Sequence, residues 1–152
     1  MMNIISFIWI FLISLNDCKK EINIKQEQNY CLITNIYDEN DKHYIEADYI
    51  QYLTGDKAIE QAKKNGDADI KFVNGQKKYS IPNDFYIVND NSKLRKLELS
   101  ENVKIDLVNN NNFKSDDIKS ILEYFKNNYD DKIFLLILNE GKVIEIKEIF
   151  TP

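Results

Sequence analysis

Cys18, Cys31 and His43 have the widest chemical repertoire in this chain, and His43 is its one histidine. Any Ser-His-Asp or Cys-His nucleophile pair would have to use it. Cys31 lies 12 residues upstream, on the neighbouring strand of an expected hairpin, so the two side chains could approach. No G-x-S-x-G turn accompanies them, and His43 reads as a partly exposed residue at a strand end. No catalytic residue is assigned. One histidine and two cysteines cannot supply the usual nitrogen and sulfur set of a zinc site. Asp38-Glu39-Asn40-Asp41 and Asn89-Asp90-Asn91 offer oxygen ligands, but neither matches a calcium loop with its glycine and distal glutamate. Both read as turns, which Asn and Asp favour. A pair of carboxylates could serve a hydrolase, but sequence does not place two of them at the required separation. With no phosphate-cradling glycine loop and no dinucleotide fingerprint, neither a metal nor a cofactor is expected.

Cys18 carries a different chemistry. It follows an apolar run, Ile4–Leu15, of about 12 residues, short of the roughly 20 a helix needs to cross a bilayer. The chain turns polar at once with Lys19, Lys20 and Glu21. This is the form of an export signal, and Leu15 with Cys18 fits a lipoprotein signal whose cysteine is acylated. Asn16 and Asp17 replace the small residues usual before such a cysteine, and the run has no preceding Lys or Arg. Cleavage near Ser14, retention as an uncleaved anchor, or a first core element are the other readings of the segment. We expect an export signal over 1–17, a polar tether over 18–29 and one domain over 30–152. Cys18 is the expected lipidation site. The expected location is the periplasmic or extracellular side of a membrane, held by a lipid anchor, or free secretion.

Composition narrows the partners. The chain has 152 residues, a net charge of −5 and a pI of about 5.0, which disfavours non-specific nucleic-acid binding. Hydrophobic content of 43% with four Gly and two Pro disfavours disorder. The only arginine is Arg95 against many lysines, and Asn and Ile are abundant, which points to codon bias and makes Asn109–Asn112 a solvated loop. Cys31 reads as a small apolar filler, or as a partner for Cys18 should that residue not be acylated.

The elements that must position these residues follow from periodicity. Tyr30–Tyr37 and Tyr44–Ile50 read as strands joined by a turn, with Ile45, Ala47 and Tyr49 on one face and Glu46 and Asp48 on the other. Thr54 to Gly66 reads as a capped helix with Ala58, Ile59 and Ala62 on its apolar stripe. Asn74-Gly75 between β-prone runs is a strong hairpin signal. Phe85–Val88 reads as a short buried strand. Leu97–Leu99 and Val103–Leu107, joined by Ser100-Glu101-Asn102, read as a second hairpin. Ser115 caps a second helix with Ile118, Ile121, Leu122 and Phe125 on one stripe. Ile133–Leu138 and Val143–Ile149 close the chain as a final hairpin. The expected fold is α+β: a mainly antiparallel sheet, or a small curled barrel, with two helices. Tyr30, Tyr37, Tyr44, Tyr49, Tyr52, Tyr79 and Tyr86 fall on or near these strands. A tyrosine cluster on a sheet face suits a carbohydrate or peptide ligand, although β-propensity and core packing are the simpler account of such residues.

The stretches Ala47–Ala58, Pro82–Asn91, Leu94–Leu97 and Gly141–Pro152 together resemble a family of small bacterial exported proteins and lipoproteins of unknown function. That resemblance implies an exported domain and no particular activity. We therefore expect an envelope protein acting as a binding or interaction module on a protein, peptide or glycan. A carboxylate-based hydrolase and a small inhibitor or folding-helper domain are the alternatives.

Overall fold

Alternating apolar and polar residues draw out two 13-residue strands, β1 (Glu27–Glu39) and β2 (Lys42–Thr54), which pair antiparallel around Asn40-Asp41. Both turn residues have positive φ, the backbone twist that matches a two-residue hairpin. A computed structural model of the chain describes residues 26–108, Phe125, Tyr129 and 132–151. The expected export signal, Cys18, most of the expected tether, Asn109–Asn112 and the helix expected from Ser115, Phe125 apart, lie outside the described residues. β1 starts at Glu27, inside the stretch read as tether.

After β2 come α1 (Gly55–Asn65), β3 (Asp69–Val73), β4 (Gln76–Ser80) and β5 (Phe85–Val88). They are followed by β6 (Leu94–Asp106), β7 (Ile133–Asn139) and β8 (Lys142–Ile149). β1 pairs with both β2 and β7, so the sheet runs β1-β7-β8-β6-β2 and returns to β1. It is a closed five-stranded barrel, and strands hold 65% of the described residues against 11% helical. This overturns the expected α+β fold with two helices. A closed sheet buries its own inner face and leaves no free edge, so helical layers are not needed to cover it.

The inner face is the core. Cys31, Ile33 and Ile36 from β1, Ile45 and Ala47 from β2, and Leu99, Val103 and Ile105 from β6 meet Phe134, Leu136 and Leu138 from β7 and Val143 and Ile146 from β8. The step of three from Ile33 to Ile36 breaks the period of two. The β1–β2 register shifts there, so a bulge around Thr34 turns Ile36 back inward. Phe125 is helical and buried, its ring 5.4 Å from that of Phe134.

Two further expectations are corrected, at Ser100–Asn102 and at β5. Ser100-Glu101-Asn102 does not turn the chain: β6 continues through it, and the register against β8 jumps from Leu99↔Val143 to Lys104↔Glu145. None of the three takes positive φ, so the segment bulges instead of reversing. β6 and β8 are parallel, an exception in an otherwise antiparallel sheet. β5 is not a central strand. It pairs with β2 alone, and only Val88 of its four residues is buried.

Beyond the barrel, β2 projects far enough to hold β5 through Gln51–Thr54. α1 packs on this extension with Ala58 and Ala62 fully buried, small side chains that let the helix lie close to the strands. Thr54 has the extended backbone of a helix cap but makes no side-chain capping bond. The other end is closed by Gly66 at φ +86°, with Asp67 N–H donating to the Ala62 carbonyl at 2.8 Å. From there the β3–β4 hairpin leads out as a separate two-stranded sheet, reversing at Asn74-Gly75 with φ positive at both.

Candidate functional site

Register, more than sequence proximity, brings polar side chains together on this barrel. Tyr37 of β1 pairs with Tyr44 of β2, Tyr44 pairs with Glu98 of β6, and Glu98 pairs with Lys142 of β8. Partners across a sheet share a face, so these four residues form one row over four strands, about 14 Å long at ordinary strand spacing. The Tyr37 and Tyr44 rings stack with centroids 5.8 Å apart and 24° between planes. Lys96 Nζ lies 4.2 Å from the Tyr44 centroid and 5.4 Å from that of Tyr37, a cation over two aromatic faces. The same ammonium forms an ion pair with Glu39, which raises its pKa above the ordinary lysine value.

Glu98 sits at the centre of the other half of the row. Its Oε1 accepts from Lys142 Nζ at 2.7 Å and its Oε2 from Lys42 Nζ at 3.1 Å. These two bonds, Lys142 first, hold the carboxyl below the usual glutamate range, and the Glu98 charge raises Lys142 in return. Asp41, Lys42, His43, Glu98, Leu99, Glu101 and Lys142 line a recess of about 310 Å³ at this end of the barrel. Two short turns, Asn40-Asp41 and Glu140-Gly141, flank it, each with φ positive at both residues.

The residues singled out for chemistry do not assemble. His43 pairs with Asp38 and donates to its Oδ1 from Nδ1 at 2.6 Å, while Cys31 pairs with Tyr49. Six residues of strand separate the two levels, about 20 Å. Cys31 is fully buried, and burial first, then the nearby Asp48 charge, pushes its thiol up to about 12, which leaves it inert at neutral pH. Among the described residues no three His, Cys, Asp or Glu side chains gather as a metal site. Asp38 is taken by His43, and Asn40 and Asp41 form the turn.

Asp48, on the face opposite Ile45 and Ala47, is buried at 6% exposure. Its Oδ2 accepts from Asn89 Nδ2 at 2.7 Å, a bond that ties the loop after β5 to β2. Lys96 and Glu98 were legible only as polar strand residues, and Lys42 and Lys142 only as residues at turns, because their meeting depends on pairings between distant segments. Tyr37 and Tyr44 did carry a local signal, since both flank the expected turn at 38–41.

A second concavity lies on the opposite part of the wall. Leu32, Phe85, Ile87, Tyr129 and Ile133 line a wide cleft of about 720 Å³. Tyr30, Tyr52 and Phe85 run beside it with centroids 5.1 and 5.3 Å apart. Its lining is mainly apolar. The smaller recess has the convergent polar groups that fix a ligand's orientation.

Counting barrel strands alone, β1, β2, β6, β7 and β8 are first to fifth. Their neighbours run first-second-third-fifth-fourth-first, with third and fifth parallel. That connectivity is the OB-type barrel, in which ligands lie across the second and third strands between the first–second and fourth–fifth turns. The Tyr37–Lys142 row occupies that position. No family model, curated protein or solved structure matches the chain.

Proposed function

We propose that this chain is a binding module of the cell envelope, anchored through Cys18, and that the row Tyr37-Tyr44-Glu98-Lys142 takes a segment of oligosaccharide. The observation that carries this reading is the tyrosine pair stacked beside a doubly bonded glutamate between two tight turns. Sugar rings combine an apolar C–H face, which suits a tyrosine ring, with hydroxyls that both donate and accept. Here the donors Lys42, Lys96 and Lys142 alternate with the acceptors Glu39 and Glu98. Because these lysines are already paired with carboxylates, the face lacks the unopposed positive charge that a nucleic acid requires. Glu98 stays ionised between its lysines, which supports binding over a hydrolase that needs a protonated carboxyl as acid. OB-type barrels that bind oligosaccharides at this position support the assignment by analogy of fold.

Amide spectra of the isotopically labelled protein, titrated with neutral and acidic oligosaccharides, test this. Shifts should gather at 37–46, 94–101 and 140–144. Tyr44→Ala should weaken binding up to about tenfold, the loss of one stacking contact of roughly 0.5–1.5 kcal/mol. Shifts that gather at Leu32, Phe85 and Ile87 instead would move the site to the apolar cleft, and no shift with any saccharide would end the proposal.

A further inference from the structure

The β3–β4 hairpin breaks the habits of the rest of the molecule. All five residues of β3 are exposed, Phe72 at 74% and Ile70 at 51%, with Val73 beside them at the turn. Ile87, Leu94 and Phe150 are exposed one at a time, whereas among the described residues this hairpin alone gathers three exposed large apolar side chains in one strand. The hairpin is also basic, with Lys71, Lys77 and Lys78 against a single acidic residue, Asp69 at its base, on a chain of net charge −5. Lys71 lies directly opposite Lys78. Like charges in that position destabilise a strand pair, so the arrangement works against the hairpin's own folding. None of the three lysines forms an ion pair with a described carboxylate; Lys77 and Lys63 instead sit over the Tyr79 ring, at 5.1 and 4.5 Å.

The hairpin also has a defined place. Tyr30 pairs with Ile50, so β1 begins at the end of the barrel where β2 finishes. α1 and the hairpin grow from that same end, opposite the Asn40-Asp41 turn. Eight residues lie between Cys18 and Glu27, a reach of at most about 30 Å over nine chain steps.

We propose that the β3–β4 hairpin is a membrane-contacting finger, with Phe72, Val73 and Ile70 entering the headgroup region of an anionic bilayer and Lys71, Lys77 and Lys78 meeting its phosphates. Exposed apolar side chains framed by unpaired lysines are the chemistry of an interfacial segment. Only the orientation depends on the anchor proposed above. A membrane at this end of the barrel leaves the tyrosine row facing away from it.

The test uses the full chain with Phe72→Trp in a Trp9→Phe background, so that residue 72 carries the only indole. On phosphatidylcholine vesicles containing phosphatidylglycerol, the emission of residue 72 should shift to the blue and be quenched by brominated acyl chains. On phosphatidylcholine alone it should stay solvent-exposed. Lys71→Glu with Lys78→Glu should weaken the contact by roughly fivefold or more for each lysine replaced. A chain that pellets with anionic vesicles while residue 72 stays unquenched overturns the finger and leaves the anchor standing. Equal quenching on neutral vesicles overturns the role given to the lysines. Protection of residue 72 only by a protein component added to the vesicles overturns the bilayer as its occupant.

Discussion

The two ends of the barrel handle charge in opposite ways. At the Asn40-Asp41 end, Lys42, Lys96 and Lys142 each hold a carboxylate and the polar side chains interlock across four strands. At the α1 end, Lys71, Lys77 and Lys78 stand without acidic partners among the described residues, around exposed apolar side chains. The first surface is preorganised, because its groups already hold one another in place before any ligand arrives. The second is unsatisfied on its own, as expected of a surface completed by something outside the chain. The difference teaches that this small fold separates an interlocked polar face from an unsatisfied basic and apolar one by the length of a barrel.

The sharpest break between the regions is thermodynamic. Phe134 is fully buried in the core, and Phe134→Ala should cost about 3–5 kcal/mol in urea unfolding. Phe72→Ala should stay within about 0.5 kcal/mol. A comparable loss from both would mean that the hairpin is part of the core. A smaller, local effect comes from Gly75→Val, which forces a β-branched residue to φ +78° and should cost about 1–2 kcal/mol. Hydrogen exchange should quicken over Asp69–Ser80 and stay slow in β7 and β8; quickening throughout would show that the hairpin and barrel unfold as one unit.

The smallest effect concerns Glu98. Its folded pKa is lowered, so its contribution to stability is present above the ordinary glutamate range and lost as pH falls through the folded value. Carboxyl carbon spectra should show Glu98 titrating below an ordinary glutamate, and Lys142→Ala should return it further toward that value than Lys42→Ala. An unchanged titration in both variants would remove the interlocked description of this end.

Local chemistry was readable from the chain and long-range pairing was not. Asn40-Asp41, Asn74-Gly75 and Glu140-Gly141 turn where the sequence places turns, because positive φ has a residue-level cost that the choice of residue reveals. Ser100-Glu101-Asn102 misled, since polar residues between two alternating runs describe a bulge as well as a reversal. A small curled barrel was one of the two expected forms, but which strands close it was not legible, for a physical reason. Alternation shows that a strand has an inner face and says nothing about which strand lies beside it. The same gap hid the candidate site, because Glu98 and Lys142 meet Tyr44 only through pairings between segments far apart in the chain. Tyr37 and Tyr44 were the exception, joined by a hairpin short enough to count across.

Closure of the ring also sets an order of events in time. β1 meets β2 across two turn residues, but it meets β7 through contacts such as Cys31↔Phe134, roughly a hundred residues apart. β6 and β8 can pair only once β8 has been made. The first hairpin therefore forms early, on a scale of about 1–10 μs, and presents an unpaired β1 edge until nearly the whole chain is available. Such non-local pairing slows folding and leaves that edge open to wrong partners in the interval. A chain delivered across a membrane from its N-terminus would emerge with β1 first and β7 late, so the last strands would both complete the core and seal the edge most prone to aggregation.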